Sequence, residues 1–445
     1  MSRRPRPWLP AAAWLLSAAA ACAQPTALVG GTLLDGSGGP PLANSVVLID
    51  GERITAVGQV GALAVPADAV LVPTAGLTVL PGLIDLQVRL AELGHGDRAH
   101  WTEVYVPLAE RVVMPAAAEA LLLAGVTTAR DIGSPLEAAL SVRERIGAHR
   151  IAGPALAVSG PALEHDPPPA EHARRWPVAG VIDARQKAER LAHAGVDFLL
   201  VTGVSALSDA ELAAIGAVSR STGVPWQAEI RADADVARAL EAGAAGLIGI
   251  GAGLEPEWPA AALAALGERA ARGQPVPWTV GASALTNYEW LRTNSGPLDD
   301  PRWRERLPRV VADDVRGSLD DLAGVAAAYD TPALRRAVLA ARLRSARAAG
   351  ARLLVGSDAG EPAHVPGRAT WQEVEALVLE AGLTPAEAIR AATLDAAASL
   401  AVEHETGSVT PGKYADIIVV RGDPLRHIER LQDVEIVFRR GLRYR

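Results

Sequence analysis

The chain has 445 residues, of which 49% are hydrophobic and 21% charged, and its formal net charge is −8. This composition is typical of a globular protein with a large buried core and excludes an intrinsically disordered chain. The acidic balance disfavours nucleic acid and anionic membrane surfaces as partners, because both are negatively charged. The chain has one cysteine, Cys22, and only two lysines, Lys187 and Lys413.

The first 23 residues have the pattern of a secretory signal peptide. Three arginines within the first six residues precede an apolar run over 8–21, and alanines flank Cys22 as at a cleavage site. We therefore expect cleavage before Gln24 and export to a periplasm or the outside, with no membrane span because the run is too short. Two alternatives stay open, namely a lipoprotein anchored through Cys22 and a twin-arginine signal. Cleavage before Gln24 would remove the only thiol, which excludes thiol nucleophiles and thiolate metal sites.

Both ends of the mature chain have a strand-like pattern. In 24–80, apolar and polar residues alternate between glycines and prolines, and Asp50-Gly51 is typical of a hairpin turn. The same pattern returns in 406–420 and 434–445. We therefore expect one small composite β-sandwich domain, built from 24–80 and 405–445.

Between these ends, residues 81–404 alternate short β-like runs with helical stretches. The predicted strands are 83–88, 125–133, 154–160, 196–203, 224–230, 244–251, 275–282 and 351–358, and the clearest predicted helices are 183–195, 233–243, 370–381 and 385–400. Eight strands separated by helices predict an α/β fold of the (β/α)8 TIM-barrel type. The long gap at 283–350 predicts an insertion over the barrel mouth or extra helices beside it.

The first barrel strand carries an unusual row of polar residues. Because strand side chains alternate between faces, Asp85, Gln87 and Arg89 share one face of the strand. Active sites of such barrels lie at the carboxyl ends of the strands, which is where Gln87 and Arg89 fall. This row therefore predicts a polar site at the barrel mouth.

Four segments carry a family likeness: VLPGLIDLQV (79–88), GVTTARDIG (125–133), LLVGSDAG (353–360) and a long tail over 381–425. With them the chain resembles the metal-dependent amidohydrolase superfamily, especially its imidazolonepropionase- and prolidase-like branch. The resemblance implies a (β/α)8 barrel with a small β-sandwich made from both chain ends. It also implies hydrolysis of C–N bonds in amides, cyclic ureas, dipeptides or related rings, aided by one or two divalent ions such as zinc.

The resemblance places the family's metal ligands on five strands: a His-x-His pair on the first, a carboxylated lysine on the fourth, one histidine each on the fifth and sixth, and an aspartate on the eighth. In this chain those positions hold Gln87 and Arg89, Leu200, a residue at or near Glu229, a residue at or near Ile250, and Asp358. Arginine has no lone pair to give a metal, and leucine cannot carry a carbamate. We therefore expect no metal and no cofactor, and Asp358 is the one retained family position and the only catalytic candidate.

Histidines elsewhere offer an alternative. His95, His100, His165 and His364 follow predicted strands, and we expect them to be solvent-exposed loop residues. A relocated metal site among them is the less favoured alternative, because their spacing matches no known ligand set.

Arg89 is predicted to take over the electrostatic role of the metal. The eighth strand adjoins the first in a closed barrel, so Arg89 is expected to reach Asp358, with Glu229 on its other side. Gln87, Arg89, Glu229 and Asp358 thus form a predicted pocket or ion-pair group. Two interpretations stay open: a pocket in which Arg89 holds the carboxylate of a ligand, and an ion pair that fills a vacated site, which we favour.

Two classes of function follow from these patterns. The first is an exported hydrolase of non-peptide C–N bonds, which the resemblance implies. The second is a pseudoenzyme, which binds a small molecule at the barrel mouth or forms a homo- or hetero-oligomer with an active relative. The ligand positions favour a degenerate centre, and no nucleic acid and no membrane span are expected in either case.

Overall fold

The structure, a computed structural model, describes residues 24–251, 253–284, 287, 307–319, 332–362 and 364–445. The predicted signal peptide over 1–23, with Cys22, lies outside the described residues, as does much of the predicted insertion at 283–350. No helix in the described ranges is long and apolar enough to cross a membrane.

Strands from both chain ends form one eight-stranded sheet. Its strands are β1 Thr26–Leu33, β2 Leu42–Asp50, β3 Arg53–Gln59, β4 Val70–Pro73, β5 Leu77–Pro81, β16 Ile417–Arg421, β17 Val434–Arg439 and β18 Leu442–Arg443. Their order is β18-β17-β16-β5-β1-β2-β3, with β4 beside β1. The junction between the chain ends is the antiparallel pair β5–β16, in which Leu80 lies opposite Ile418.

The alternating pattern explains these strands. The predicted turn at Asp50-Gly51 joins β2 to β3, with Asp50 opposite Arg53 and Gly51 at a φ of 55°. The hydrogen bonds join all eight strands in one sheet rather than in two facing sheets. The β-sandwich and its boundaries at 80 and 405 stay predictions.

All eight predicted barrel runs contain an observed strand. These eight strands are β6 Leu83–Val88, β7 Val126–Asp131, β8 Ala155–Val158, β11 Leu199–Thr202, β12 Trp226–Glu229, β13 Gly246–Ile248, β14 Pro277–Thr279 and β15 Arg352–Leu354. Two further short strands, β9 Ala162–Glu164 and β10 Arg175–Pro177, were not predicted. All of these strands pair in parallel, in the orders β6-β7-β8 and β10-β9-β11-β12-β13-β14-β15.

The predicted closed barrel is therefore corrected to two parallel sheets within the described residues. The strand pairing is interrupted at Gly160-Pro161. Gly160 has a φ of 64°, which is not strand geometry, and proline has no N–H to donate to a neighbouring strand. Before it, β8 pairs with β7, and after it β9 pairs with β11 through Leu163 and Val201. The third run thus ends the first sheet, and the next strand, β9, belongs to the second sheet.

At the opposite seam, backbone hydrogen bonds join the first and eighth runs. The N–H of Leu86 donates to the carbonyl of Val355 at 3.0 Å, and the N–H of Asp358 donates to the carbonyl of Gln87 at 2.8 Å. This seam brings the ends of β6 and β15 together, and with them Arg89 and Asp358.

Twelve α-helices are described. They are α1 Arg98–Val104, α2 Met114–Leu123, α3 Leu136–Gly147, α4 Val181–Ala194, α5 Asp209–Thr222, α6 Ala234–Glu241, α7 Ala260–Ala271, α8 Arg309–Ser318, α9 Pro332–Ala348, α10 Ala369–Leu379, α11 Pro385–Ala391 and α12 Leu394–Ser399. The prediction of one helix over 385–400 was wrong, because Thr393 leaves helical geometry at φ −136° and ψ −95° and separates α11 from α12. The helices α8 and α9 lie in the predicted insertion.

Candidate functional site at the strand ends

The centre of the strand-end region is the side chain of Arg89, which directly follows β6 and is only 8% exposed. Its Nε donates to Asp358 Oδ1 at 2.8 Å and lies 2.8 Å from Glu361 Oε1, and its Nη2 donates to Glu229 Oε1. One guanidinium therefore contacts three carboxylates. We call Arg89, Glu229, Asp358 and Glu361 the Arg89 cluster.

Glu229 ends β12 and is held from the neighbouring strand. Thr202 Oγ1 donates to Glu229 Oε2 at 2.7 Å, and the β11–β12 register pairs these two residues. Thr202 therefore lies level with Glu229, and Leu200 lies level with Gln227. Leu200 is buried in an apolar cluster with Phe198 and Ile248.

Glu361 and its second partner were not predicted from the sequence. Glu361 lies three residues after Asp358, and a guanidinium nitrogen of Arg98, on α1, contacts its carboxylate. The sequence did show a second acid directly after the SDAG turn, and this could have suggested Glu361. The direction of its side chain, however, depends on the geometry of the turn.

That turn holds a backbone conformation that is rare for residues with a side chain. Asp358 has a φ of 53° and Gly360 a φ of 112°. A Cβ at Gly360 would lie 2.3 Å from the carbonyl oxygen of Arg89, so only glycine allows this approach. The turn thereby places both Asp358 and Glu361 against Arg89.

The charges in the Arg89 cluster shift the pKa values of its members. Burial acts to lower the pKa of Arg89, but Asp358, Glu229 and Glu361 outweigh it and raise the pKa well above its usual value. Burial acts to raise the pKa of Glu229, but Arg89 and Arg231 lower it to about 2. In Glu361 burial is outweighed in the same way by Arg98 and Arg89, which lower the pKa to about 2.

Asp358 behaves differently from the other two acids. Burial raises its pKa to about 6, and Glu361 and Glu229 add to this rise against the charge of Arg89. Asp358 is therefore the acid of the Arg89 cluster that changes its protonation nearest to neutral pH.

A cavity of about 490 Å³ borders the Arg89 cluster. Gln87, Glu229 and Asp358 contribute to its wall, together with apolar side chains such as Ile250, Val280, Val338 and Leu339. Gln87 is 3% exposed, and its Oε1 has no hydrogen-bond partner among the described residues. The cavity therefore offers an unused amide acceptor beside a titratable carboxyl group.

The divalent ion of the resembled superfamily does not fit this arrangement. The carboxylates of Glu229 and Asp358 already bind a permanent cation, which repels a metal ion, and Arg89 itself has no lone pair to give. In the part of the chain that the structure describes, one group of three residues could hold a metal ion: His95, His100 and Asp314. Each offers one ligand atom, and the three atoms lie within 4.8 Å of one another. This group lies outside the Arg89 cluster.

Two of the four histidines that follow strands differ from the prediction of exposed loop residues. His100 and His165 are exposed as expected, but His95 and His364 are only 5% and 2% exposed. His95 is held in place because the N–H of Gly94 donates to the carbonyl of Gly360 and that of Gly96 to Ser318 Oγ. The backbone of His364 is bound to the turn after β15, since its carbonyl accepts the N–H of Gly360 at 2.7 Å. Burial lowers the pKa of His364 to about 4, so this imidazole is neutral at physiological pH.

The fold and the site together define an α/β protein of TIM-barrel-like architecture whose polar site lies at the carboxyl ends of parallel strands. Residues 316–442 match the family model of the amidohydrolase family. A crystal structure of a protein from Bifidobacterium longum, provisionally described as a prolidase, is similar at a TM-score of 0.72 and 25% identity, covering 95% of each chain. The structure of molinate hydrolase is similar at a TM-score of 0.71 and 21% identity, covering 94% of each chain.

A short segment also matches an adenine deaminase of Rubrobacter xylanophilus, with 50% identity over 42 residues. The match covers 9% of this chain and 7% of that enzyme, so the chain spans only a small part of this curated relative. The family match and the similar structures support the amidohydrolase superfamily.

Proposed function

We propose that this chain is a small-molecule-binding protein of the amidohydrolase fold, in which a salt-bridge cluster replaces the metal centre. The observation that carries the proposal is the position of the Arg89 guanidinium between Glu229, Asp358 and Glu361. Removing such a cation would leave buried carboxylates unpaired, so the cluster has a strong physical reason to persist. The cavity beside it, at about 490 Å³, has the size of a typical ligand site.

The ligand class follows from the groups that remain available. Arg89 already serves three carboxylates, which argues against its holding the carboxylate of a ligand. Gln87 Oε1 is a buried acceptor without a partner among the described residues, so it suits a ligand N–H. Apolar side chains such as Val280 and Leu339 suit a hydrophobic body. We therefore propose small amides as ligands, with N-acyl amino acids, dipeptides and cyclic amides as the probes.

Binding is tested by calorimetric titration of these probes into the purified protein. We expect Gln87→Leu to weaken binding of the best probe about tenfold, since the lost hydrogen bond is worth about 1.4 kcal/mol. Gln227→Leu is the matched control, because Gln227 is also buried but lines a different cavity. The proposal fails if no probe binds, or if both variants weaken binding equally.

A second candidate function is hydrolysis of a C–N bond, which the pKa of Asp358 favours. A carboxyl group with a pKa of about 6 at a cavity wall is suited to take a proton from water and return it to a leaving nitrogen. The water oxygen would bond to the carbonyl carbon, and the C–N bond would break. Turnover of any probe in the presence of a metal chelator, lost in Asp358→Asn, would favour this candidate over pure binding.

We also propose export, with cleavage before Gln24. Its support is the basic start and apolar run of the first 23 residues. Mass spectrometry of the mature amino terminus from fractionated cells tests it. A cytoplasmic protein with an intact amino terminus would contradict it, and a lipid-modified Cys22 would favour the lipoprotein alternative.

A further inference from the structure

Three potential metal ligands meet where the loop before α1, helix α1 and helix α8 come together. His100 Nε2 lies 2.9 Å from Asp314 Oδ2, and His95 Nε2 lies 3.8 Å from the same oxygen. The ligand atoms of all three residues lie within 4.8 Å of one another. Two imidazoles and one carboxylate are a common ligand set for zinc and related divalent ions.

The side chain of His95 gives an independent indication of a ligand. His95 is 5% exposed, and its Nε2 has no hydrogen-bond partner among the described residues. Its Nδ1 lies 2.9 Å from the carbonyl oxygen of Asp97 and accepts the N–H of Asp97 at 3.0 Å, so the backbone of Asp97 fixes the ring in either tautomer. A cation at Nε2 would select the tautomer in which Nδ1 donates to that carbonyl, as in metal sites whose histidine donates its other N–H to a backbone carbonyl.

The surrounding structure holds the three ligands in place. Asp97 caps α1, because its Oδ1 accepts the N–H of His100 at 3.0 Å. Trp101 packs against the His95 ring and anchors itself through Nε1 to the carbonyl of Ala91 at 2.9 Å. Ser318 Oγ accepts the N–H of Gly96 at 2.9 Å, which ties the loop to the end of α8.

The distances suit one ion bound by all three residues. Ligand atoms around a tetrahedral zinc ion are separated by about 3.4 Å. The two separations from Asp314 Oδ2, 2.9 and 3.8 Å, lie on either side of that value. Tyr105 Oη donates to the same oxygen at 2.7 Å, and this bond can persist because a carboxylate oxygen has more than one lone pair.

We propose that His95, His100 and Asp314 form a binding site for one zinc-class divalent cation, with a fourth position left to water. The site shares no residue with the Arg89 cluster. The two are linked through α1, which carries both His100 and Arg98, the partner of Glu361. This inference goes beyond the proposed ligand binding and does not depend on it.

The test is metal titration of chelator-treated full-length protein. Zinc is measured against a competing chelator, and Co²⁺ is used as a probe because its visible absorption reports the geometry of its ligands. We expect one equivalent of zinc per chain, and an affinity at least tenfold weaker in His100→Ala and in Asp314→Ala. Both positions are partly exposed, so the variants are expected to fold, which circular dichroism checks.

Two controls make the result specific. The double variant His404→Ala with His427→Ala removes two exposed histidines elsewhere and should leave zinc affinity unchanged. Asp358→Asn, which alters the Arg89 cluster, should also retain zinc. The inference is overturned if wild type binds no more zinc than His100→Ala, or if the histidine control loses zinc equally. Zinc lost only in Asp358→Asn would overturn this inference and also the proposed replacement of the metal centre.

Discussion

The guanidinium of Arg89 fits a task that neither lysine nor histidine could perform equally well. It is planar, always charged and has five donors, so it can serve several carboxylates at once. Burial makes each charge costly to leave without a partner, and this couples Arg89 to Glu229, Asp358 and Glu361. At the residue scale, the strand-end region is therefore a mutually dependent set of charges.

Arg89→Met tests this dependence. Methionine fills similar volume but leaves three carboxylates without their shared cation, so the free energy of unfolding should fall by about 3–5 kcal/mol. Urea unfolding followed by tryptophan emission measures the change. Arg421→Met is the matched control, since Arg421 pairs with Glu435 at an exposed position and should change stability by about 0.5 kcal/mol or less. Equal effects in both variants would contradict the argument.

The raised pKa of Asp358 predicts a pH dependence with a definite sign. With a pKa of about 6 in the folded protein and 3.8 as its ordinary value, the folded state binds more protons between these pH values. The protonated carboxyl group of Asp358 therefore stabilises the folded state fully below about pH 3.8, and this stabilisation is lost as the pH rises through 6. Relative to Asp358→Asn, wild type should thus become less stable from pH 4 to pH 7, as measured by urea unfolding at each pH. A constant difference would contradict the raised pKa.

At the element scale, the turn after β15 decides where the acids lie. Its glycine, Gly360, combines a φ of 112° with a close approach to the backbone of Arg89. Backbone hydrogen bonds also hold the turn against the end of β6. In one of them, the N–H of Arg89 donates to the carbonyl of Ala359 at 2.8 Å. Backbone conformation, rather than strand pairing alone, therefore positions Asp358 and Glu361.

Gly360→Ala should destabilise the protein more than conformational strain alone would. Strain at positive φ costs on the order of 1 kcal/mol, and the clash with Arg89 adds to it. Gly412→Ala separates the two effects, because Gly412 has a φ of 93° and a Cβ added there would meet nothing within 4 Å. Thermal unfolding of both variants gives the comparison. If the two lose the same stability, the close approach at Gly360 has no energetic consequence.

At the scale of the whole molecule, the sheet from the chain ends and the parallel sheets share one core. Ile418 and Val437 from the first sheet lie in the same buried cluster as Leu83 and Val126 from the strand region. Ile418 also lies close to Gly125, where an added Cβ would be 3.2 Å from its Cδ1. This continuity predicts that the two parts unfold together.

Ile418→Asp tests that coupling. Burying an unpaired carboxylate at a fully buried position should lower the free energy of unfolding by about 4 kcal/mol or more. Because Trp226 and Trp278 lie in the parallel strands, their emission should report the same lowered midpoint as far-UV circular dichroism. Val60→Asp, at a position 53% exposed, is the control and should be nearly neutral. An unchanged tryptophan transition in Ile418→Asp would contradict shared unfolding.

Local sequence patterns determined much of this architecture. Every predicted β-run of the strand region contains a strand, and Leu83–Val88 matches its predicted bounds. Asp50-Gly51 forms its predicted turn, because hairpin geometry is set by nearest neighbours. The alternation of side chains also placed Arg89 on the polar row at the strand end, and the seam brings it within 2.8 Å of Asp358.

Only the tertiary structure decided the remaining features, since they depend on contacts between distant segments. The break at Gly160-Pro161 divided a predicted closed barrel into two sheets. The register of β11 against β12 put Thr202 beside Glu229, and the turn at Gly360 added Glu361. His95 became buried and met Asp314, 219 positions further along the chain, because packing of α8 against the loop before α1 is not encoded in either segment alone.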